Sequence, residues 1–282
     1  MGGFIAVSST VRLLEVIDAL VEARLRFLII GGHAVRHFGV DRNTLDFDFH
    51  VSLECAQDLE ERLRKTKLFS GTEFSEGMSW RRTDFRRFQI GVLPNGKEEW
   101  LEFWFRNHLL APFEELDARH EEVIENGRRL HYLSLPDLIR SKETERDDDW
   151  ADVRLLEETL DDRNLASARD EASIVQALSQ LRTRRGFERA ETAGLFGNGP
   201  AVGAAMGLAR RAVTLAYLLP FAPKVSIGSR PAPLEEAVES ALRRLQPGSA
   251  RHLAVVEAVR LAYQRAAKAA DRADKESRQR ET

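Results

Sequence analysis

The sequence predicts an α+β fold, a mixed β-sheet flanked by helices, followed by an all-α C-terminal region. Three observations predict it. Apolar residues recur at helical spacing in the opening segment; short alternating or wholly apolar runs bounded by glycine occupy parts of residues 27–105; no convincing strand pattern occurs beyond residue 161. A chain of 282 residues with 43% hydrophobic and 31% charged side chains suits one large domain or two small ones, and excludes a disordered, collagen-like or disulfide-scaffold protein. The single Cys55 cannot form an intrachain disulfide or a cysteine-cluster metal site. No apolar run reaches the roughly 18–20 residues of a membrane helix. The first ten residues are too short and uncharged for a secretory signal, so a cytoplasmic protein without membrane association is expected.

Val11, Leu14, Ile17, Val21 and Leu25 line one helix face, with Ser8 or Ser9 available as N-cap. Phe27 to Ile30 reads as a buried strand ended by the Gly31-Gly32 turn. A short helical stretch around His33 to Phe38 follows, and Thr44 to Phe49 alternates as a strand does. Residues 54–68 suit a surface helix. Phe85–Leu93 and Glu99–Phe105 read as two more strands around Pro94-Asn95-Gly96, giving a sheet of at least four. Helical pattern returns from Leu135 to Leu160. In the rear part, helices are expected at Ile174–Leu181, Leu234–Leu245 and Val255–Ala262.

This organisation divides the chain into a core at 1–160 and a helical domain at 161–282, with a glycine-rich connector around 194–207. The charge divides with it. Residues 1–160 hold 22 Lys and Arg against 31 Asp and Glu, a net −9, and residues 161–282 hold 20 against 14, a net +6. The connector's five glycines lack the Gly-Lys-Ser/Thr ending of a phosphate loop, and read as a flexible link.

Chemistry concentrates between Gly31 and Asp48. Residues two apart on a strand share a face, so Asp46 and Asp48 project together about 6–7 Å apart, while Leu45, Phe47 and Phe49 point into a core. Two carboxylates on one face repel unless a cation or proton lies between them, and hard oxygen donors suit Mg²⁺. Gly31-Gly32 opens a helix where backbone N–H groups can receive a phosphate. A cation site beside a phosphate cradle is what phosphoryl or nucleotidyl transfer requires. Read separately, a Gly-Gly after a strand is usually just a tight turn, and an Asp-x-Asp is a solvated strand face.

Taken together, Gly31, Gly32, Ala34, Val35, Gly39, Arg42, Thr44, Asp46 and Asp48 resemble the signature of the nucleotidyltransferase superfamily of DNA polymerase beta. The likeness is closer to its AbiEii-type and related minimal members, and covers roughly residues 10–160. It implies that Asp46 and Asp48 bind Mg²⁺, that Gly31 and Gly32 cradle the phosphates of an NTP, and that Arg42 and Thr44 belong to the same binding site. A third carboxylate is expected on a later strand as metal ligand and base. Glu102, a lone acid among apolar neighbours, fits it better than Glu98 or Glu99, although the family more often has Asp there. The resemblance also extends to Lys142, Arg146, Asp149 and Asp152. On a single helix over 136–158, Lys142, Arg146 and Asp149 would share the inward face. Lys142 would then contact the NTP phosphates with Asp149 orienting it, or the two would simply form an inward ion pair.

Other features have blander readings. Arg81, Arg82, Arg86 and Arg87, interleaved with Trp80, Phe85 and Phe88, suit nucleic acid or an ordinary amphipathic strand. His33 and His37 have zinc-ligand spacing but no third partner, and read as packing residues. The function expected is Mg²⁺-dependent transfer of an NMP from an NTP to an acceptor hydroxyl. By resemblance to toxin–antitoxin nucleotidyltransferases the acceptor is tRNA or another macromolecule such as a protein, with a cognate antitoxin as partner. Two alternatives remain: an aminoglycoside-type small-molecule acceptor, and a catalytically inactive binding or antitoxin module.

Overall fold

Alternating Phe47, Phe49 and Val51 form a strand near the middle of a mixed sheet that has seven strands among the described residues. The structure is a computed structural model that describes residues 9–71, 74–76, 84–93, 95–107, 109–144 and 146–195, with isolated positions 261, 265, 272 and 276. The chain divides into two compact units, Met1–Ser141 and Lys142–Thr282, and the whole sheet belongs to the first.

Helix α1 (Ser9–Glu22) opens the first unit. It buries Leu13, Leu14, Val16, Ile17 and Leu20 but leaves Val21 61% exposed, so the apolar stripe is rotated from the Leu14–Ile17–Val21 series toward Leu13, Val16 and Leu20. Ser8 lies outside the described residues. Strand β1 (Phe27–Ile29) leads into helix α2 (Gly31–His37) through Gly31, whose φ of +62° is a left-handed value. Strand β2 (Phe47–Val51) starts later than the alternation suggests. Thr44 to Asp46 precede it, and Thr44 Oγ1 donates to the Asp46 carbonyl at 3.3 Å, a local bond that competes with the ladder. A 3₁₀ turn at Leu53–Cys55 and helix α3 (Leu59–Arg64) replace the longer helix expected over 54–68.

Strands β3 (Ser75–Glu76), β4 (Phe85–Val92) and β5 (Glu98–Trp104) follow. Helix α4 (Phe113–Asp117) precedes a hairpin of β6 (Glu121–Glu125) and β7 (Arg128–Tyr132), and helix α5 (Leu135–Ser141) closes the unit. The hairpin is absent from the strands expected above. Its turn is Asn126-Gly127, with φ of +51° and +76°, the pair of left-handed values that a two-residue hairpin turn needs.

The strand order is β3-β4-β5-β2-β1-β7-β6. β2 pairs in parallel with β5 and antiparallel with β1, while β1 pairs in parallel with β7. One face carries Phe49, Phe88, Leu101 and Phe103, all fully buried. Their rings meet at centroid distances of 6.0 Å (Phe49 and Phe103) and 6.2 Å (Phe88 and Phe103). Each such ring contributes about 1.5–3 kcal/mol by leaving water, which fixes the sheet beneath the site.

The second unit contributes helices α6 (Asp147–Ser167), α7 (Glu171–Gln180) and α8 (Arg184–Thr192). The single helix expected over 136–158 is broken between Ser141 and Asp147. Thr144 explains the break. Its hydroxyl accepts from Arg146 N–H at 3.1 Å and donates to Asp149 Oδ2 at 2.7 Å, bonds that draw the backbone out of helix. Leu178, Leu181 and Ala190 form a small core with Leu165, Ile174 and Leu195. The helices expected at Leu234–Leu245 and, apart from Leu261, at Val255–Ala262, and all of the connector beyond Leu195, lie outside the described residues. Among the described residues no helix is long and apolar enough to cross a membrane.

Candidate active site

Parallel pairing of β2 with β5 sets Asp48 directly beside Glu102. The two-residue period that sends Phe47, Phe49, Leu101 and Phe103 into the core turns Asp48 and Glu102 to the opposite, half-buried face. Asp46 stands just ahead of β2 and is also half-buried. Glu102 registers these neighbours. Burial raises its proton affinity most, followed by the charge of Asp48 and a hydrogen bond with it; Asp46 adds to the rise and Arg87 opposes it. Of the nearby alternatives, Glu98 is exposed, and Glu99 is buried against Arg12 at 3.0 Å.

The Gly-Gly turn fits this cluster closely. A Cβ on Gly31 would lie 2.0 Å from Asp48 Oδ2, and a Cβ on Gly32 would lie 2.4 Å from Thr44 Oγ1. Both glycines therefore seat site side chains against the backbone, a role the sequence pattern alone does not assign to them. Arg42 is half-buried on the segment between α2 and β2. The donor set of Asp46, Asp48 and Glu102 is oxygen-only and carries the like-charge pressure that a divalent cation relieves, so its chemistry suits Mg²⁺. The cation would draw the three carboxylates closer than they stand here, where their oxygens do not all come within 4.8 Å of one another.

Two residues stand at the site where the sequence pattern does not place them. Arg87 Nε lies 3.1 Å from Glu102 Oε1, and its guanidinium sits 3.9 Å from the centroid of the Trp100 ring. The β4–β5 register places Arg87 opposite Glu102, a pairing that alternation alone does not disclose. His33 stacks on Phe47 with centroids 5.2 Å apart, and its Nε2 is buried without a hydrogen-bond partner. Burial lowers it to about 4, against the charge of nearby Asp48, so the imidazole is neutral at pH 7. His37 stacks on Tyr132 at 4.0 Å and bonds Glu121 at 3.0 Å, so the two histidines do not converge on one ligand.

Arg86, neighbour to Arg87, points to the other face of β4. It is buried, 3.2 Å from Glu60, with its guanidinium 4.8 Å from the Phe88 centroid. Trp80, Arg81 and Arg82 lie outside the described residues.

Lys142 and Asp149 belong to the second unit. Their side chains meet at 3.1 Å, with Asp152 Oδ2 3.5 Å from the same Nζ and Arg146 Nε 3.8 Å from Asp149 Oδ2. The contact is made across the break at Thr144 rather than along one helix face. Burial alone would raise Asp149, but Lys142 and the Thr144 hydroxyl together pull it below the usual carboxylate range. Within its own unit this is a buried, satisfied ion pair.

No family model and no curated protein matches the chain. Solved structures do resemble it. One is an antigenic nucleotidyltransferase-like protein from Paracoccidioides brasiliensis, 16% identical, with a TM-score of 0.36, covering 70% of this chain and 90% of that one. Another is JHP933 from Helicobacter pylori, 12% identical, with a TM-score of 0.37, covering 98% of this chain and 100% of that one. These are remote likenesses.

Proposed function

We propose that the chain is a Mg²⁺-dependent nucleotidyltransferase that moves an NMP from an NTP to an acceptor hydroxyl. The observation that carries this reading is the lateral pairing of Asp48 with Glu102, with Asp46 beside them and Gly31 open to the Asp48 carboxylate. Asp46, Asp48 and Glu102 would hold the cation, which when bound neutralises charge on the triphosphate and polarises the α-phosphorus. Glu102, which holds its proton in the cation-free site, would ionise with the cation bound and then take the proton of the acceptor hydroxyl, and the freed oxygen forms the new bond to the α-phosphorus as the bond to pyrophosphate breaks. Arg42 and the N–H groups of Gly31 and Gly32 receive the triphosphate, and Thr44 fixes the approach to β2. Arg87 holds the Glu102 carboxylate in place through the ion pair on Trp100.

A macromolecular acceptor, tRNA or protein, is the reading that the AbiEii-type resemblance supports, together with a cognate antitoxin. Labelled NTP incubated with total RNA and with whole-cell protein tests it. Transfer should require Mg²⁺ and should vanish in Asp46→Asn and in Asp48→Asn, each retaining the native far-UV spectrum. Transfer that survives both substitutions would overturn the mechanism, and no transfer by the native chain would favour an inactive binding module.

A further inference from the structure

We propose that Asp117, His120 and His131 form a zinc-binding site that ties the β6–β7 hairpin to the end of α4. One ligand atom from each of Asp117, His120 and His131 lies within 4.8 Å of the others. Zinc–nitrogen bonds of about 2.0–2.1 Å need only a sub-ångström to ångström-scale contraction of such a group.

Local structure builds the site from three elements. Asp117 ends α4, His120 follows three residues later, and the Asn126-Gly127 turn sets the hairpin register that pairs Glu122 with His131. A slip of one residue would turn His131 into the core face now held by Leu130 and Tyr132. The imidazoles of His120 and His131 stack at 4.3 Å with their planes 24° apart, and Glu122 Oε2 lies 3.4 Å from His131 Nε2.

The surrounding contacts orient the ligands. Arg26 Nη2 holds Asp117 Oδ2 at 2.9 Å, leaving Oδ1 turned to His120 Nδ1 at 3.5 Å. The His120 ring is further fixed by its Nδ1–H donating to the Asp117 carbonyl at 2.5 Å, which leaves Nε2 as its metal-binding nitrogen. Such outer contacts hold metal ligands in orientation. Arg129, exposed and 3.7 Å from Glu122, pairs with that carboxylate, which stands beside the ligand group rather than in it. Two imidazoles with a carboxylate select Zn²⁺ over Mg²⁺, which prefers oxygen alone. All three ligands lie outside the Asp46–Asp48–Glu102 cluster, so the site stands whether or not the chain transfers nucleotides.

Isothermal titration of the metal-stripped full chain with ZnCl₂ tests the site on an Asp46→Asn/Asp48→Asn background, and again on the native chain in excess Mg²⁺. One equivalent should bind in both, Co²⁺ should give the visible absorption of a tetrahedral centre, and Zn²⁺ should raise the melting temperature. Adding His120→Ala and His131→Ala should weaken zinc binding about tenfold or more with the far-UV spectrum unchanged. Absence of zinc binding, or equal affinity with and without the two histidines, would overturn the proposal.

Discussion

At Gly31 two constraints coincide: the backbone holds φ at +62°, and a methyl group there would meet Asp48 Oδ2 at 2.0 Å. Gly39 supplies the comparison, with φ of +87° and nothing within 4 Å of where a methyl group would sit. Gly39→Ala should therefore cost only backbone strain, about 1 kcal/mol in urea denaturation. Gly31→Ala should cost more, about 2–4 kcal/mol, because the Asp48 carboxylate must also move. It should abolish Mg²⁺-dependent NTP binding, which Gly39→Ala should keep. Equal effects of the two substitutions would show that the close approach of Asp48 to the turn has no role in the site. Arg87 adds a second residue-scale lesson. Its charge acts on Glu102 from the neighbouring strand, so its importance depends on register, a property no single stretch of sequence contains.

At the scale of elements, the junction of α7 and α8 is organised by Asp161 on α6. Its carboxylate accepts from the Thr183 hydroxyl at 2.7 Å, from Thr183 N–H at 2.8 Å and from Arg182 N–H at 3.1 Å. Burial nevertheless pushes it up to about 6, and Glu157 adds to the rise. The folded chain thus holds this proton more tightly than the unfolded chain, whose Asp titrates near 3.8. The group's contribution to stability is fully present below about pH 4 and is lost as pH rises through 6, a span of about 3 kcal/mol. Asp161→Asn should flatten that slope between pH 4 and 6.5 in urea titrations followed by far-UV circular dichroism; parallel slopes would refute the assignment. Sequence pattern exposed some elements and hid others for physical reasons. Phe47, Asp48 and Phe49 are legible because one face is apolar and the other charged. The β6–β7 hairpin is hidden because Glu121, Glu122, Arg128 and Arg129 blur the alternation, although Asn126-Gly127 marks its turn. Lys142 and Asp149 share a contact as their inward placement suggests, but Thr144 creates it by interrupting the helix.

At the scale of the whole molecule, every carboxylate of the proposed metal site falls in the unit that ends at Ser141. Residues 1–141 expressed alone should fold cooperatively and bind Mg²⁺, as read by a thermal melt and calorimetric titration. Retained Mg²⁺ binding with lost NTP binding would assign triphosphate contacts to residues after Ser141, whereas an unfolded fragment would show that the sheet depends on the rest of the chain. The order of the sheet also decides which strands lie at its edges. Its outermost strands are β3, two residues long, and β6. An uncovered outer strand offers unpaired backbone groups to any other chain, and on β6 Ile124, 69% exposed, adds an apolar handle. Glu121, Glu122 and Glu125 occupy three of that strand's five positions. Two β6 edges approaching each other bring like charges together, so these glutamates act as guards against edge-to-edge aggregation where the strand is stickiest.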